Sequence, residues 1–388
     1  MIETILIFLI VLGVLIFVHE LGHFLVARAF GIRVDEFALG FGPKIVSKKV
    51  TSAKHGVTVY ALNAIPFGGY VKIFGEDPNE DSTHGPDSKR SFVHKPRYVQ
   101  VLVLVAGVTF NFIFALLVMI GAFMGGLPVS TSDYAQYADR FHDTHIVVSY
   151  TAPDSPAMKA GISEGDTIVS ISLATGIVPN KGTSQAIADV KSTIEHSEGK
   201  PITVYFIPSA FSSKFTDTNV GHERSVTVTP IKNPTNGAFI IGLGMDNVAT
   251  LSLPFFTSIL EATRYSVNTV VETAVGFKDL IVGLFHADKA LLGQVSGPVG
   301  IASVVGKAAH AGFAYLLLLV TAISINLAVL NLLPFPALDG GRILFVIIEA
   351  IIRRPIKPSI ANTINAVGFG LLMLLMVIVT YHDIIKAI

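Results

Sequence analysis

The sequence predicts a membrane α-helical protein: four transmembrane helices, a β-hairpin or small sheet on the cytoplasmic side, and one extracytoplasmic α+β domain. Three observations lead there. Of 388 residues, 51% are hydrophobic and only 14% charged, against about 25% charged in soluble domains. Four apolar runs are long enough to cross a bilayer, at about Ile5–Phe30, Tyr98–Met124, Phe313–Leu333 and Ile360–Thr380. Basic residues gather between the first two runs (Arg33, Lys44, Lys48, Lys49, Lys54, Lys72, Lys89, Arg90, Lys95, Arg97) and between the last two (Arg342, Arg353, Arg354, Lys357). Lys and Arg in connecting loops mark the cytoplasmic side, which leaves both termini and residues 127–250 outside.

The same composition excludes other classes. A formal net charge of zero offers nothing to nucleic acid. With no cysteine there is neither a disulfide nor a thiolate metal site. The chain opens Met-Ile-Glu-Thr, without a basic segment, and its first apolar run continues with no small-residue cleavage site. It reads as an uncleaved span rather than a signal peptide.

Span one (residues 1–31) contains Phe17-Val-His-Glu-Leu-Gly-His-Phe24, and Ile5–Val18 before the motif has no polar side chain. Ionisable groups at membrane depth are costly and mark functional sites. Residues four apart on a helix share a face. His19 and His23 can therefore offer two imidazoles to one metal, with Glu20 placed as a base toward water there. A single histidine would read as a packing contact; the pair with its glutamate does not. From Ile5 to His19 is about 21 Å at 1.5 Å per residue, nearer the cytoplasmic face of a core about 30 Å thick. A catalytic zinc takes three protein ligands, so one is still missing.

Residues 32–97 are polar. Val57–Leu62 alternates as a strand does, and Ala64-Ile-Pro-Phe-Gly-Gly-Tyr-Val-Lys-Ile73 follows. The pair Gly68-Gly69 suggests a hairpin with close backbone approach. It reads equally as a surface hairpin or as an edge that pairs with a peptide. Glu76–Arg90, rich in Asp, Pro and Ser, reads as a mobile linker. Span two (residues 98–126) carries Gly107 and Asn111 on one face, spaced for helix packing. Residues 127–250 combine short β-rich runs with a helical segment, Ser184–His196. In residues 251–312, Phe255, Phe256, Ile259, Leu260, Val267, Val270, Val271 and Ile281 have amphipathic spacing. That helix lies on the membrane surface or packs on the preceding domain. Span three (residues 313–340) ends in Asn331-Leu-Leu-Pro-Phe-Pro-Ala-Leu-Asp-Gly340. Its prolines break the helix, and irregular backbone at membrane depth is tolerated only beside protein or water. Asp339 stands there and is the third ligand. A cytoplasmic loop and span four fill residues 341–388.

Taken in order, His19-Glu-Leu-Gly-His23, Phe67-Gly-Gly-Tyr-Val71 and Asn331 through Gly340 resemble the site-2 protease family of intramembrane zinc metalloproteases. The nearest likeness is to the bacterial branch that carries PDZ domains and performs regulated intramembrane proteolysis. Ala152-Pro-Asp-Ser-Pro-Ala-Met-Lys-Ala-Gly161 with Glu164-Gly-Asp-Thr-Ile168 resembles that branch's circularly permuted PDZ domain. Gly242-Leu-Gly244 and Val295-Ser-Gly-Pro-Val-Gly300 resemble its linkers. The resemblance implies Zn2+ held by His19, His23 and Asp339, with Glu20 as catalytic base. It implies Asn331 on the substrate backbone, and Phe67, Gly68, Gly69, Tyr70 and Val71 holding the substrate extended. Implied partners are single-pass membrane proteins such as anti-sigma factors, remnant signal peptides, a peptide ligand of the PDZ domain, and the lipid of a bacterial inner membrane. Two features depart from the family pattern. One PDZ-sized domain stands where some members have two. Val108 follows Gly107 where proline is frequent, so span two is expected to bend less. The polar stretch Pro208–Arg224 reads as an insertion in the PDZ domain.

Other classes compete. A catalytically inactive, membrane-anchored PDZ scaffold need not bind one zinc per chain, so zinc content separates it from an enzyme. A transporter would show an inverted repeat, and none is visible. Gly40-Phe-Gly42 lacks the third glycine and the helix of a dinucleotide loop. The other ten of the twelve histidines have no partner at ligand spacing.

Overall fold

The protein is described by a computed structural model covering residues 2–52, 56–77, 80–173, 176–179, 184–209, 222–234, 236–286 and 297–387. It contains two compact units, one of residues 1–118, 261–306 and 319–388, the other of residues 119–260 and 307–318.

The first unit begins with α1 (Ile2–Ala29), 28 residues without a break and about 42 Å long at 1.5 Å per residue. It closes at Gly31, which takes φ +68°. Strands β1 (Val34–Ser52) and β2 (Gly56–Ile73) then fold into one sheet. Its middle is Val34–Leu39, paired with Gly69–Ile73 on one side and with Val59–Leu62 on the other. Lys44–Ser52 pairs with Gly56–Asn63 beyond. Gly69–Ile73 is thus an edge segment.

The expected hairpin needs correcting. Gly68-Gly69 lies inside β2, and the connection between the strands falls at residues 53–55, outside those described. Gly68 takes φ +101°, and a Cβ there would run into the Phe41 ring. Only glycine fits where the strand passes so close. The sheet is fastened by an apolar cluster of Phe24, Ile32, Phe37, Val71, Ile73 and Val103.

The segment read as a mobile linker is pinned instead. It holds α2 (Glu80–His84), and Glu76 pairs with Arg342. Arg33 reaches Asp87 at 2.8 Å and Asp35 at 2.7 Å and covers the Phe74 ring at 3.7 Å. A guanidinium shared between two carboxylates and an aromatic face holds the chain against its own entropy. The long-range partners, Arg33 and Arg342, are invisible in the local composition.

Helix α3 (Arg97–Gly125) is helical throughout its 29 residues. After the sheet domain come α6 (Phe255–Phe285), α7 (Pro298–Ala311), α8 (Phe313–Leu332), α9 (Asp339–Ile352) and α10 (Pro358–Ala387). Helix α6 exposes Phe255, Phe256, Leu260, Val267, Val271 and Ile281 of the amphipathic set, with Ile259 and Val270 half-buried. Val295-Ser296 of the second linker likeness lies outside the described residues. Helices α1, α3, α8 and α10 are long and apolar enough to cross a membrane. Helix α9 corrects the expected loop. Cβ atoms at Gly340 and Gly341 would collide with the carbonyls of Leu332, Leu333 and Phe335. Bare backbone lets the chain double back there and pass straight into a helix.

The second unit holds a seven-stranded sheet. Its order is β3 (Leu127–Ser130), β11 (Leu243–Leu251), β4 (Phe141–Thr151), β5 (Thr167–Leu173), β7 (Ile202–Ile207) and β8 (Arg224–Val228), with β6 (Gly176–Pro179) beside β5. Strands β9 (Ile231–Lys232) and β10 (Phe239–Ile240) form a separate pair. Alternate residues of β7 (Ile202, Val204, Phe206) join Ile146, Ile168 and Val190 in its core, with Val190 coming from α5 (Ser184–Glu195). Short α4 (Pro156–Ala160) is capped by Ser155 and closed by Gly161 at φ +91°, as its N-terminal proline and C-terminal glycine require. Most of the insertion read at Pro208–Arg224 lies outside the described residues.

Candidate metal centre

The site is built where α3 crosses α1. A Cβ on Gly22 would sit 2.5 Å from the Ala106 carbonyl oxygen, so the glycine between Glu20 and His23 permits the close crossing. Two polar contacts follow. His23 Nδ1–H donates to the Val103 carbonyl at 2.8 Å. The Asn111 amide lies 3.3 Å from His19 Nδ1. A ring nitrogen bound to a carbonyl must carry a proton, so in the neutral ring Nε2 of His23 is the nitrogen with the lone pair. Asn111 Oδ1 is buried with no donor. Turning the amide over, an assignment made from the network, satisfies it with Nδ1–H of His19 and frees that Nε2 as well. Asn111 is itself held, because its carbonyl accepts from Ser324 Oγ on α8 at 2.9 Å.

Asp339, the first residue of α9, brings the third atom. Its Oδ2 lies 3.1 Å from His19 Nε2 and 3.3 Å from His23 Nε2. The two Nε2 atoms are 3.2 Å apart. Asp339 Oδ2 is shut off from solvent and has no hydrogen-bond donor. Two imidazole nitrogens and a carboxylate oxygen therefore converge on one point, an arrangement a cation stabilises. Zinc–nitrogen bonds of about 2.0–2.1 Å put tetrahedral ligands about 3.3 Å apart. The observed triangle has that size, and among the described residues these three side chains form a cluster able to hold a metal ion. Room for the rings comes from Gly107, where a Cβ would collide with His23 Nε2 and lie 2.7 Å from His19 Cε1.

The remaining candidate residues distribute as follows. Glu20 is half-buried on α1. Gly69, on the edge segment of β2, comes next to it: a Cβ at Gly69 would lie 3.4 Å from Glu20 Cγ and 2.8 Å from Ile16 Cγ2. Val71 turns into the apolar cluster under the sheet. Tyr70 faces the other way, stacked on Phe41 at 6.2 Å and donating to Glu36 Oε1 at 3.1 Å. Phe67 is part of β2. Asn331 occupies the last turn of α8, half-buried. Sequence reasoning missed Val103, Gly107 and Asn111 as partners of the histidines. The four-residue spacing of Gly107 and Asn111 was visible, but it reads as generic packing until a second helix shows what packs there.

Known proteins are similar to this chain in sequence. The Peptidase family M50 pattern matches residues 7–375. The chain is 35% identical to CPE1693 of Clostridium perfringens, named a zinc metalloprotease, over 97% of each chain. It is 30% identical to the zinc metalloprotease RasP of Geobacillus kaustophilus, over 99% of this chain and 98% of that one. With mll0638 of Mesorhizobium japonicum, also named a zinc metalloprotease, identity is 32% over 97% of each. Four apolar helices, a trio of zinc-type ligands and these relatives define a membrane zinc metalloprotease of the site-2 protease type. The chain belongs to Peptidase family M50. The reading as an inactive scaffold is not favoured.

Proposed function

We propose that this protein is an intramembrane endopeptidase that cuts within the transmembrane segments of other membrane proteins, with His19, His23 and Asp339 holding the zinc and Glu20 acting as base. The observation that carries the proposal is the convergence of three ligand-type atoms at tetrahedral spacing. When bound, zinc supplies a Lewis acid that brings the pKa of water near about 7 and polarises a carbonyl. Glu20 takes a proton from the attacking water and returns it to the leaving amine nitrogen.

A helical substrate hides its carbonyls in internal hydrogen bonds, so it must unwind before it is cut. The Gly69–Ile73 edge then provides backbone partners by strand addition. Its bare Gly69 lies beside Glu20, which sets the added strand next to the base. Asn331 contacts the substrate backbone, and Phe67 to Val71 hold it extended. Substrates are anti-sigma-factor-like proteins or remnant signal peptides, cleaved in regulated intramembrane proteolysis. Residues 127–250 form a PDZ domain that binds a peptide. The lysines and arginines of residues 32–97 and 342–357 support a topology in a bacterial inner membrane with the metal toward the cytoplasmic face and both termini and the PDZ domain outside.

The test uses Glu20→Gln in bilayers with a transmembrane substrate. Zinc content should stay at one per chain while cleavage falls by about 10²–10⁴-fold. Undiminished cleavage would remove Glu20 from the mechanism.

A further inference from the structure

We propose that Asn365, on α10, is a positioning residue for the metal centre, holding the strained turn from which Asp339 is presented. The proposal rests on Asp339 being a zinc ligand. Between α8 and α9 the chain reverses over Leu333–Leu338. Leu338 N–H donates to the Phe335 carbonyl at 3.2 Å, closing a four-residue turn. Pro336 takes the second place in the turn, and Ala337 the third with φ +74°. Proline followed by a positive φ is the type II pattern, whose third residue is normally glycine. An L-residue held there is strained and persists only where its surroundings over-determine it.

Those surroundings come from α10. The Ala337 N–H donates to Asn365 Oδ1 at 3.3 Å. Three residues on, on the same helix face, Gly368 lies against Pro336. A Cβ at Gly368 would be 2.5 Å from Pro336 Cβ and 2.8 Å from its carbonyl oxygen. The helix therefore grips two consecutive turn residues, one through an acceptor and one through bare backbone. General packing does not account for this grip, because Ile360, Val367, Phe369, Leu371 and Leu374 along α10 are exposed. Leu338 at the N-cap of α9 offers no side-chain bond, and the Glu76–Arg342 pair holds α9 one turn beyond Asp339 without touching the strained Ala337. Asp339 follows Ala337 by two residues, so relaxation of the turn moves its carboxylate, and a metal site tolerates displacements of only about 0.5 Å.

The test measures zinc affinity of the full-length protein in detergent, by competition with a chromogenic chelator. Asn365→Ala should weaken zinc about 10-fold, the loss expected when a ligand's supporting partner is removed. Adding Ala337→Gly should recover most of that loss, because glycine adopts positive φ without strain. A role for Asn365 in helix packing alone would leave the double variant as weak as the single. Zinc affinity unchanged in Asn365→Ala, or no recovery in the double variant, overturns the proposal. Asp339→Ala separates the two failures: unchanged zinc there overturns the ligand assignment itself. If Asn365→Ala does not accumulate, Asn365→Leu, with the same side-chain branching but no acceptor, takes its place with the same two outcomes.

Discussion

Asp166 in the sheet domain and Asp339 at the head of α9 are both carboxylates withdrawn from water, yet their surroundings differ in kind. Asp166 is fully buried. Its Oδ2 accepts from Ser163 N–H and its Oδ1 from Ser209 N–H, each at 2.9 Å. Both oxygens have donors, and the group ties two loop segments together. Among the described residues Asp339 Oδ2 has no hydrogen-bond partner and lies against the Nε2 atoms of two imidazoles. Buried polar groups in native proteins are nearly always hydrogen-bonded, and each exception asks for a reason. Here the satisfied aspartate ties segments of the sheet domain together, and the orphaned one is the residue proposed as a metal ligand.

The comparison breaks most sharply at Asp339. Asp339→Ala should lower zinc affinity by more than the roughly 10–100-fold attached to supporting partners, and cleavage should fall to background. Chelator treatment of the wild type should do the same, with activity returning on zinc addition, whereas zinc should not rescue Asp339→Ala. Urea unfolding of the sheet domain should be the same in both proteins.

Next comes Asn111→Ala, which removes the partner of His19 Nδ1 while leaving all three ligand atoms. Zinc affinity should fall by about 10–100-fold, read by chelator competition. An unchanged affinity would mean that α1 alone orients His19.

Asp166 should show the reverse pattern. Asp166→Ala strands two amides, each worth about 1–3 kcal/mol when left unpaired in the interior. The urea midpoint of the sheet domain should drop while zinc binding is retained. The smallest effect is on pH. Burial raises the Asp166 pKa above its ordinary value, with the amides of Ser209 and Ser163 opposing the rise. A raised carboxyl pKa means that folding favours the neutral form. Its contribution to stability is complete below the ordinary aspartate range and is lost as pH climbs through the native pKa. Asp166→Asn cannot ionise, so stability measured across that window should become flatter. An unaltered slope would assign the dependence to another group.

Much of the fold and of the His19, His23 and Asp339 cluster was readable in advance because those signals are local. Apolar runs long enough to span a bilayer outlined α1, α3, α8 and α10 to within a few residues. The i, i+4 spacing set His19 over His23, and a broken helix at two prolines singled out Asp339. Features that depend on distant partners were misread or missed. The supposed mobile linker is fastened by Arg33 and Arg342, the glycine pair lies in mid-strand opposite Phe41, and Gly107 is small to admit imidazole rings.

By itself, then, the sequence determined the spans, the zinc-type residues and the break that delivers Asp339, since each follows from neighbours within a turn or two of helix. Only the tertiary structure decided which nitrogen of each histidine faces Asp339, what supports the ring, and how α10 holds a strained alanine two residues before it. Those outcomes depend on hydrogen bonds between residues such as His23 and Val103, 80 positions apart. No periodicity encodes such a pairing until the helices have crossed.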